Sequence, residues 1–378
     1  MIKRLHLQNF KASRDVDVRI APLTVLAGLN SSGKSSLLQA IAVLRQSYGT
    51  AGRADGLVLS GDLVQLGHGQ DVLSEGAESK EDLISLEFQE DATQGAWVCP
   101  SVADASELHF VTQPDPPPQF VLSENFQFLQ ADRVTPSPLY PQAPQRARSN
   151  GFLGPRGEYT ADYLALNGDT PVSEVRSIAR VDSPIDSTLL SKVAPTAKLL
   201  DQAAAWLQHL SPGARLTVTR VEGTDEVLLQ YNYVGHTRGL TSNQYRPTNV
   251  GFGLTYCLPI IVACLAAPPD SLLLLENPEA HLHPQGQVAL GGLLALAASE
   301  GVQIIVETHS DHLLNGIRLA VKRGHISCDR IILHFFTRPV ETGDSNVQSP
   351  SMLPDGRLSN WPKGFFDQWD KSLDDLLA

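Results

Sequence analysis

The sequence predicts an α/β chain: a mixed or parallel sheet core flanked by helices, with an antiparallel β lobe and a helical insert. Three observations predict it. The apolar strand LTVLA runs into GLNSSGKS (Gly28–Ser35), which matches G-x-x-x-x-G-K-[ST] at every fixed position. The last third alternates continuous apolar strands with helical stretches, the pattern of a parallel sheet covered by helices. Residues from about 56 to 111 break into short apolar runs between turn residues (GLVLSGDLVQL, DLISLEF, ELHFVT), which reads as antiparallel pairing.

Taken in order, residues 2–8 and 16–27 read as strands, with Pro22 and its neighbours turning. After the glycine-rich loop, Leu37, Leu38, Ile41 and Leu44 recur at the spacing of an amphipathic helix. FQFLQA at 126–131 is a strand buried on both faces, and the Pro-, Gly- and Arg-rich residues 136–157 are surface loop. From about 159 to 210 the pattern is helical, and RLTVTRV with EVLLQYNYV form a hairpin around Gly223 and Thr224. A helix at about 251–266 leads to strand SLLLLE, a helix at 284–298, strand VQIIVET, a helix at 311–322, strand RIILHFF and a terminal amphipathic helix ending KSLDDLL. No internal repeat or heptad run is present. The domain reading is a head over 1–322, with the β lobe at about 56–111 and a helical/β insert at about 136–248, and a short C-terminal domain over 323–378 docked on it.

Composition narrows the class. The 378 residues carry 29 basic and 41 acidic side chains, a net charge of −12, and 42% hydrophobic residues support a substantial core. Such a chain is a poor non-specific nucleic-acid binder. Cys99, Cys257, Cys264 and Cys328 form no C-x-x-C pair, as in a reduced cytoplasmic protein, and the opening MIKRLHLQNFK is no secretory signal. The longest apolar run, Leu254 to Ala267, contains Pro259 and falls short of the roughly 18–20 residues that span a bilayer, so no membrane is expected.

The chemistry concentrates at three places. In the loop made of Gly28, Leu29, Asn30, Ser31, Ser32, Gly33, Lys34 and Ser35, with Ser36 following, the two glycines let backbone N–H groups turn around a phosphate where a Cβ would block them. Lys34 is a point charge for the β- and γ-phosphates, and the Ser35 hydroxyl is a Mg²⁺ ligand. LLLLENPEAHLHP (272–284) ends a buried strand with Glu276 where ligands bind in open α/β sheets, which suits Mg²⁺ held through water. VQIIVETHSDHLL (302–314) places His309 just beyond another buried strand, as a hydrogen-bond partner for a γ-phosphate or a lytic water.

Together these three elements resemble the ABC-type ATPase heads of the RecF/SMC/OLD class. More closely, the chain resembles bacterial predicted AAA-family ATPases with a short C-terminal domain of unknown function, through FLQADRVTP (128–136), NVGFGLTYCLPII (249–261), ENPEAHLHPQGQ (276–287) and DGRLSNWPKGFFDQWDKSLDDLL (355–377). The resemblance implies an ABC-ATPase fold in which two heads sandwich two ATP molecules, each P-loop completed by the partner's signature segment. Here that segment is RPTNVGFGLTYCLP, with Thr248, Asn249, Gly251 and Gly253 carried over, although close helix packing also explains the glycines. It implies a glutamine contacting Mg²⁺ and the attacking water; Gln70 and Gln65 are both candidates, and Gln70, after a Gly-His-Gly turn, is preferred. It implies a glutamate after the strand-end acid, yet Asn277 stands there, and an amide orients water but accepts no proton at neutral pH, removing general-base catalysis worth about 10²–10⁴-fold. Glu279 and His309 remain to carry that load, so slow hydrolysis is expected.

The resemblance further implies ATP and Mg²⁺ as cofactors, ATP-dependent self-association, and a regulatory role in antiphage defence or a toxin-type system with an effector encoded elsewhere. A RecF-like DNA clamp and an ATP-bound scaffold with little turnover are the alternatives, and DNA or RNA stays open as a partner. No nuclease signature is present, and about 70 residues after His309 leave no room for a Toprim-type domain. His281, His283, His309 and His312 are a weak transition-metal pattern without cysteine partners. Arg146, Arg148 and Arg156 read as solvated loop charge ahead of a phosphate contact. Trp361, Phe365, Phe366 and Trp369 read as anchors for the tail ahead of a partner surface.

Overall fold

The computed structural model describes residues 1–49, 52–79, 82–91, 93–178, 187–234, 242–340, 343–362, 364–365, 373 and 375–377. In chain order the elements are β1 (Ile2–Phe10), β2 (Ser13–Arg19), β3 (Leu23–Gly28), α1 (Lys34–Tyr48), β4 (Gly56–Val58), α2 (Gly69–Val72), β5 (Leu83–Glu90), β6 (Thr93–Pro100), β7 (Glu107–His109), α3 (Gln119–Leu122), β8 (Phe126–Leu129), β9 (Leu139–Pro141), α4 (Gln145–Ser149), α5 (Thr160–Asn167), α6 (Ser187–Val193) and α7 (Leu199–Leu207). There follow β10 (Ala214–Arg220), β11 (Glu226–Tyr233), α8 (Phe252–Ala266), β12 (Leu272–Glu276), α9 (Pro284–Ser299), β13 (Gln303–Glu307), α10 (Asp311–Lys322), β14 (Ile331–Thr337) and β15 (Asn346–Gln348).

The chain forms two compact units. The first comprises Met1–Glu124, Gln303–His309 and Ser327–Ala378; the second comprises Asn125–Val302 and Ser310–Ile326. This division interleaves the chain, and the C-terminal residues share a unit with the N-terminal ones.

In the first unit, β3 lies between β13 and β14 and runs parallel to both. Leu23, Val25, Leu26 and Ala27 are buried, as a strand enclosed on both faces requires. β15 closes the β14 edge in antiparallel register. The expected strand over 16–27 is two strands in different sheets. β2 pairs with β1, whereas Pro22 lies between the strands and the Ala21 N–H donates to Thr24 Oγ1 at 2.9 Å, ending the ladder before β3 begins. The β lobe also differs from expectation: β5 and β6 extend the β1–β2 hairpin into a four-stranded antiparallel sheet, and β4 with β7 form a separate pair. Trp97 on β6 donates to the Tyr48 hydroxyl at 2.9 Å, fixing the end of α1 against that sheet.

In the second unit, β8 and β12 pair in parallel, Phe126 opposite Leu272. The 136–157 stretch is not wholly loop, because β9 adds to the edge of β11 and α4 makes one turn. α8 continues through Pro259, and every residue from Leu254 to Leu265 is buried. Its C-terminal carbonyls are satisfied by buried Arg176, which donates to Cys264 O at 3.0 Å and Ala267 O at 2.6 Å and pairs with Glu300 at 2.6 Å. Among the described residues, no helix is long and apolar enough to cross a membrane. Most of the expected terminal helix, with Phe366 and Trp369, lies outside the described residues.

Candidate functional site

The P-loop turns sharply between β3 and α1. Gly28 has φ 141°, Ser31 φ 61° and Gly33 φ 100°, which the glycines adopt without steric cost. The glycine requirement also has an internal cause beyond room for phosphate. A Cβ at Gly28 would lie 2.2 Å from the Phe336 carbonyl oxygen, and one at Gly33 would lie 2.2 Å from Ser345 Oγ. Ser32 is buried and its hydroxyl donates to Leu29 O at 2.7 Å, bracing the loop, while Leu29 at the tip is 68% exposed, with Asn30 and Ser31 also exposed. Ser36 is buried in the first turn of α1.

Lys34 is buried, donating from Nζ to Gly28 O at 3.1 Å and Leu29 O at 2.7 Å. Burial pulls its pKa below the ordinary lysine value, and the negative charge of Glu307 opposes that shift. Glu307 is the residue that sequence reasoning missed. It ends β13, opposite Leu26 of β3 in parallel register, and is 5% exposed. One carboxylate oxygen lies 3.6 Å from Lys34 Nζ, and the other accepts from Ser35 Oγ at 2.7 Å. An acid closing an apolar strand was the signal that singled out Glu276, and QIIVE carries the same signal. His309, two residues on, is exposed.

In the second unit, Glu276 ends β12 and its carboxylate accepts from the Ala131 N–H at 3.0 Å. Asn277 follows in the left-handed region at φ 42°. Its Oδ1 is buried and, among the described residues, meets no hydrogen-bond donor, leaving an acceptor with spare capacity at the strand end. Glu279, in the same turn, is buried. Arg133 was quoted only for the resemblance, but it organises the turn. Fully buried, it donates to Glu276 O at 2.8 Å and to Asn277 O at 2.6 Å, and its guanidinium lies 5.4 Å from the Tyr256 ring centroid.

The candidate signature segment leads into α8. Thr248, Asn249 and Gly251 are exposed and Gly253 is half-buried. The two glycines separate by role: nothing lies within 4 Å of a Cβ at Gly251, whereas one at Gly253 would meet His281 O at 2.6 Å. Gly253 therefore packs closely, the blander of the two readings. His281 is held by aromatic edges, its ring 5.0 Å from Phe252 and 4.7 Å from Tyr256, and His283 caps α9, its Nδ1 accepting from the Gln285 N–H at 3.4 Å. Among the described residues, no three His, Cys, Asp or Glu side chains converge as a metal site, so the histidine pattern draws no support.

Gln70 and Gln65 are both exposed in the first unit. Gln70 sits on the single turn α2, and Gln65 donates to Gly61 O at 2.7 Å; neither is among the polar partners of Lys34 or Ser35 in the described residues. In the arginine-rich loop, Arg148 pairs with Asp162 at 3.5 Å and Arg156 with Asp132 at 3.2 Å, and Arg146 is exposed. In the tail, Phe365 is buried against Phe335 of β14 with centroids 5.1 Å apart, the anchor role expected of it, while Trp361 stacks 5.2 Å away and is half exposed.

A buried lysine held by two carbonyls and a carboxylate, beside a hydroxyl already on an anionic oxygen, is a donor set that fits a triphosphate with a divalent cation. Residues 1–130 match the family described as "AAA ATPase domain", residues 167–315 that described as "AAA domain, putative AbiEii toxin, Type IV TA system", and residues 326–376 the family of unknown function DUF3696. A 41-residue stretch is 44% identical to the OLD nuclease of Thermus scotoductus (strain ATCC 700910 / SA-01), covering 11% of this chain and only 8% of that protein's length. Among solved structures, the crystal structure of the SmcHead bound to the C-winged helix domain of ScpA superposes with a TM-score of 0.51 at 16% identity, covering 93% of this chain and 98% of that one. That likeness is one of fold. The fold is that of a P-loop NTPase of SMC-head type. Along the chain, two segments that match AAA-type ATPase families are followed by one that matches DUF3696.

Proposed function

We propose that this protein binds ATP with Mg²⁺, associates head to tail with a second copy on that ligand, hydrolyses it slowly, and acts as the regulatory ATPase of a bacterial defence or toxin-type system whose effector is a separate protein. The observation that carries the reading is the P-loop itself: left-handed glycines, a buried Lys34 and a Ser35 hydroxyl oriented onto an anionic oxygen. The regulatory part rests on the match to the AbiEii-type AAA family.

In this reading Lys34 neutralises phosphate charge and Ser35 holds the metal, which supplies further charge neutralisation when bound. Glu276 and Gln70 address the metal, the former through water. Asn277 Oδ1, a buried acceptor that meets no donor among the described residues, orients the attacking water without taking its proton. Proton acceptance falls to Glu279 and His309, which makes turnover slow. Thr248, Asn249 and Gly251, exposed at the start of α8, offer backbone amides and a helix dipole to the partner's γ-phosphate. The RecF-like clamp draws no support from the arginine-rich loop, where Arg148 and Arg156 already have acidic partners.

Steady-state ATP hydrolysis by the wild-type chain, Lys34→Ala and Asn277→Glu, with molecular mass followed with and without ATP–Mg²⁺, tests the proposal. Turnover lost in Lys34→Ala and an ATP-dependent rise in mass are expected. Association without hydrolysis would favour the scaffold reading, and neither would sink the self-sufficient ATPase.

A further inference from the structure

Glu307 has no counterpart among the P-loop groups that the motif defines, yet it touches both of that motif's side chains. Its two carboxylate oxygens divide between Lys34 Nζ, at 3.6 Å, and Ser35 Oγ, at 2.7 Å. The carboxylate is 5% exposed, at the carboxyl end of a strand whose register with β3 fixes it beside the loop. A triphosphate that engages Lys34 and Ser35 must approach this anion, and like charges at such range in a partly dehydrated site repel strongly. A divalent cation on Ser35 reverses the sign, because it lies between the two anions and is attracted by both.

We infer that Glu307 makes nucleotide binding at this P-loop conditional on a divalent cation, repelling metal-free triphosphate and, directly or through one water, helping to position the metal that accompanies it. The inference rests on the nucleotide-binding reading above. It adds a positioning carboxylate in the first unit, independent of Glu276.

The test is binding of AMP-PNP to the full chain by titration calorimetry, in Mg²⁺ and in EDTA, for wild type, Glu307→Gln and Glu307→Asp. The wild type is expected to bind at least about tenfold more tightly with Mg²⁺. Glu307→Gln, which keeps the shape without the charge, tightens binding in EDTA by about tenfold and shrinks the Mg²⁺ effect. Glu307→Asp keeps the charge, so its binding in EDTA stays weak; this variant decides the matter if the glutamine form does not fold. The same Mg²⁺-to-EDTA ratio in wild type and Glu307→Gln would overturn the inference while leaving the nucleotide site intact. So would Glu307→Asp tightening in EDTA as the glutamine form does. Absence of AMP-PNP binding by the wild type in Mg²⁺ would overturn both readings.

Discussion

The P-loop and the acidic turn after β12 hold their polar groups by opposite means. Lys34 and Ser35 are tied to two main-chain carbonyls and to one carboxylate, Glu307, all bonds that phosphate oxygens and a metal can take over. The carbonyls of Glu276 and Asn277 are gripped by fully buried Arg133, and no ligand would replace that grip. Substitutions should therefore read out in ligand binding at the first place and in folding at the second.

Arg133→Ala gives the largest expected effect. It strands the half-buried carbonyls of Glu276 and Asn277 and leaves a cavity where a fully buried side chain stood, a loss of about 3–5 kcal/mol in unfolding free energy. Lys34→Ala leaves the buried Glu307 carboxylate on the Ser35 hydroxyl at 2.7 Å and should cost about 1–3 kcal/mol, while abolishing nucleotide binding. Urea denaturation of both variants checks the contrast; equal losses would break it.

Acid should act on both units through their buried histidines. His209, buried in the second unit, is held down to about 4 by desolvation, whereas unfolded histidine titrates near 6.5. The unfolded chain thus takes up a proton that the folded one refuses, so stability falls as pH drops from about 6.5 towards 4, by on the order of 3 kcal/mol in all. His6 in the first unit behaves oppositely. Burial of its ring lowers the pKa, but Asp15 at 2.6 Å and Glu87 at 3.4 Å outweigh it and raise the value. Its contribution is full below the unfolded pKa and is lost as pH rises through the folded one. His334, buried in the first unit, is held down by desolvation in the same sense as His209 and adds to the loss in acid. Urea denaturation at pH 7 and pH 5 should show a lower unfolding free energy at pH 5; equal stability at the two would contradict this.

Asn277→Glu sharpens the same comparison from the chemical side. A general base restored at a turn that Arg133 has already ordered should raise turnover by about 10- to 100-fold. Measured by phosphate release, an unchanged rate would mean that the turn does not address the attacking water.

What was legible in the sequence follows from range. The P-loop is eight contiguous residues whose spacing is its geometry, and the apolar strands of the last third declare their burial locally. Of the two partners of β5, β6 lies within 56–111, the stretch read as antiparallel, whereas β1, some eighty residues earlier, was not legible, because nothing within 56–111 announces that pairing. Arg133 escaped for a similar reason: it acts on main-chain carbonyls 143 and 144 positions away, which carry no side-chain signature. Glu307 was within reach, since an acid closing VQIIVE repeats the LLLLE signal. Attention to His309, two residues on, hid it.

The smallest expected effect lies in the two glycines that begin α8, which sequence alone could not tell apart. Gly253→Ala brings a Cβ to within 2.6 Å of His281 O, a backbone atom that yields only if the turn shifts. It should cost about 1–2 kcal/mol, seen as a lower melting temperature with association altered only in proportion. Gly251 sits at φ −58° with nothing within 4 Å of an added Cβ, so alanine there fits the fold. The gain from a stiffer unfolded chain is offset by the loss of glycine at the helix N-cap, and stability should change by less than about 1 kcal/mol. If the open space at Gly251 is where a partner's γ-phosphate approaches, that same methyl group obstructs it. The variant should then need several-fold more protein to associate on ATP–Mg²⁺. Sedimentation of Gly251→Ala at matched concentrations decides this. Association equal to the wild type would remove Gly251 from the head-to-tail contact and leave the segment a packing element like its neighbour.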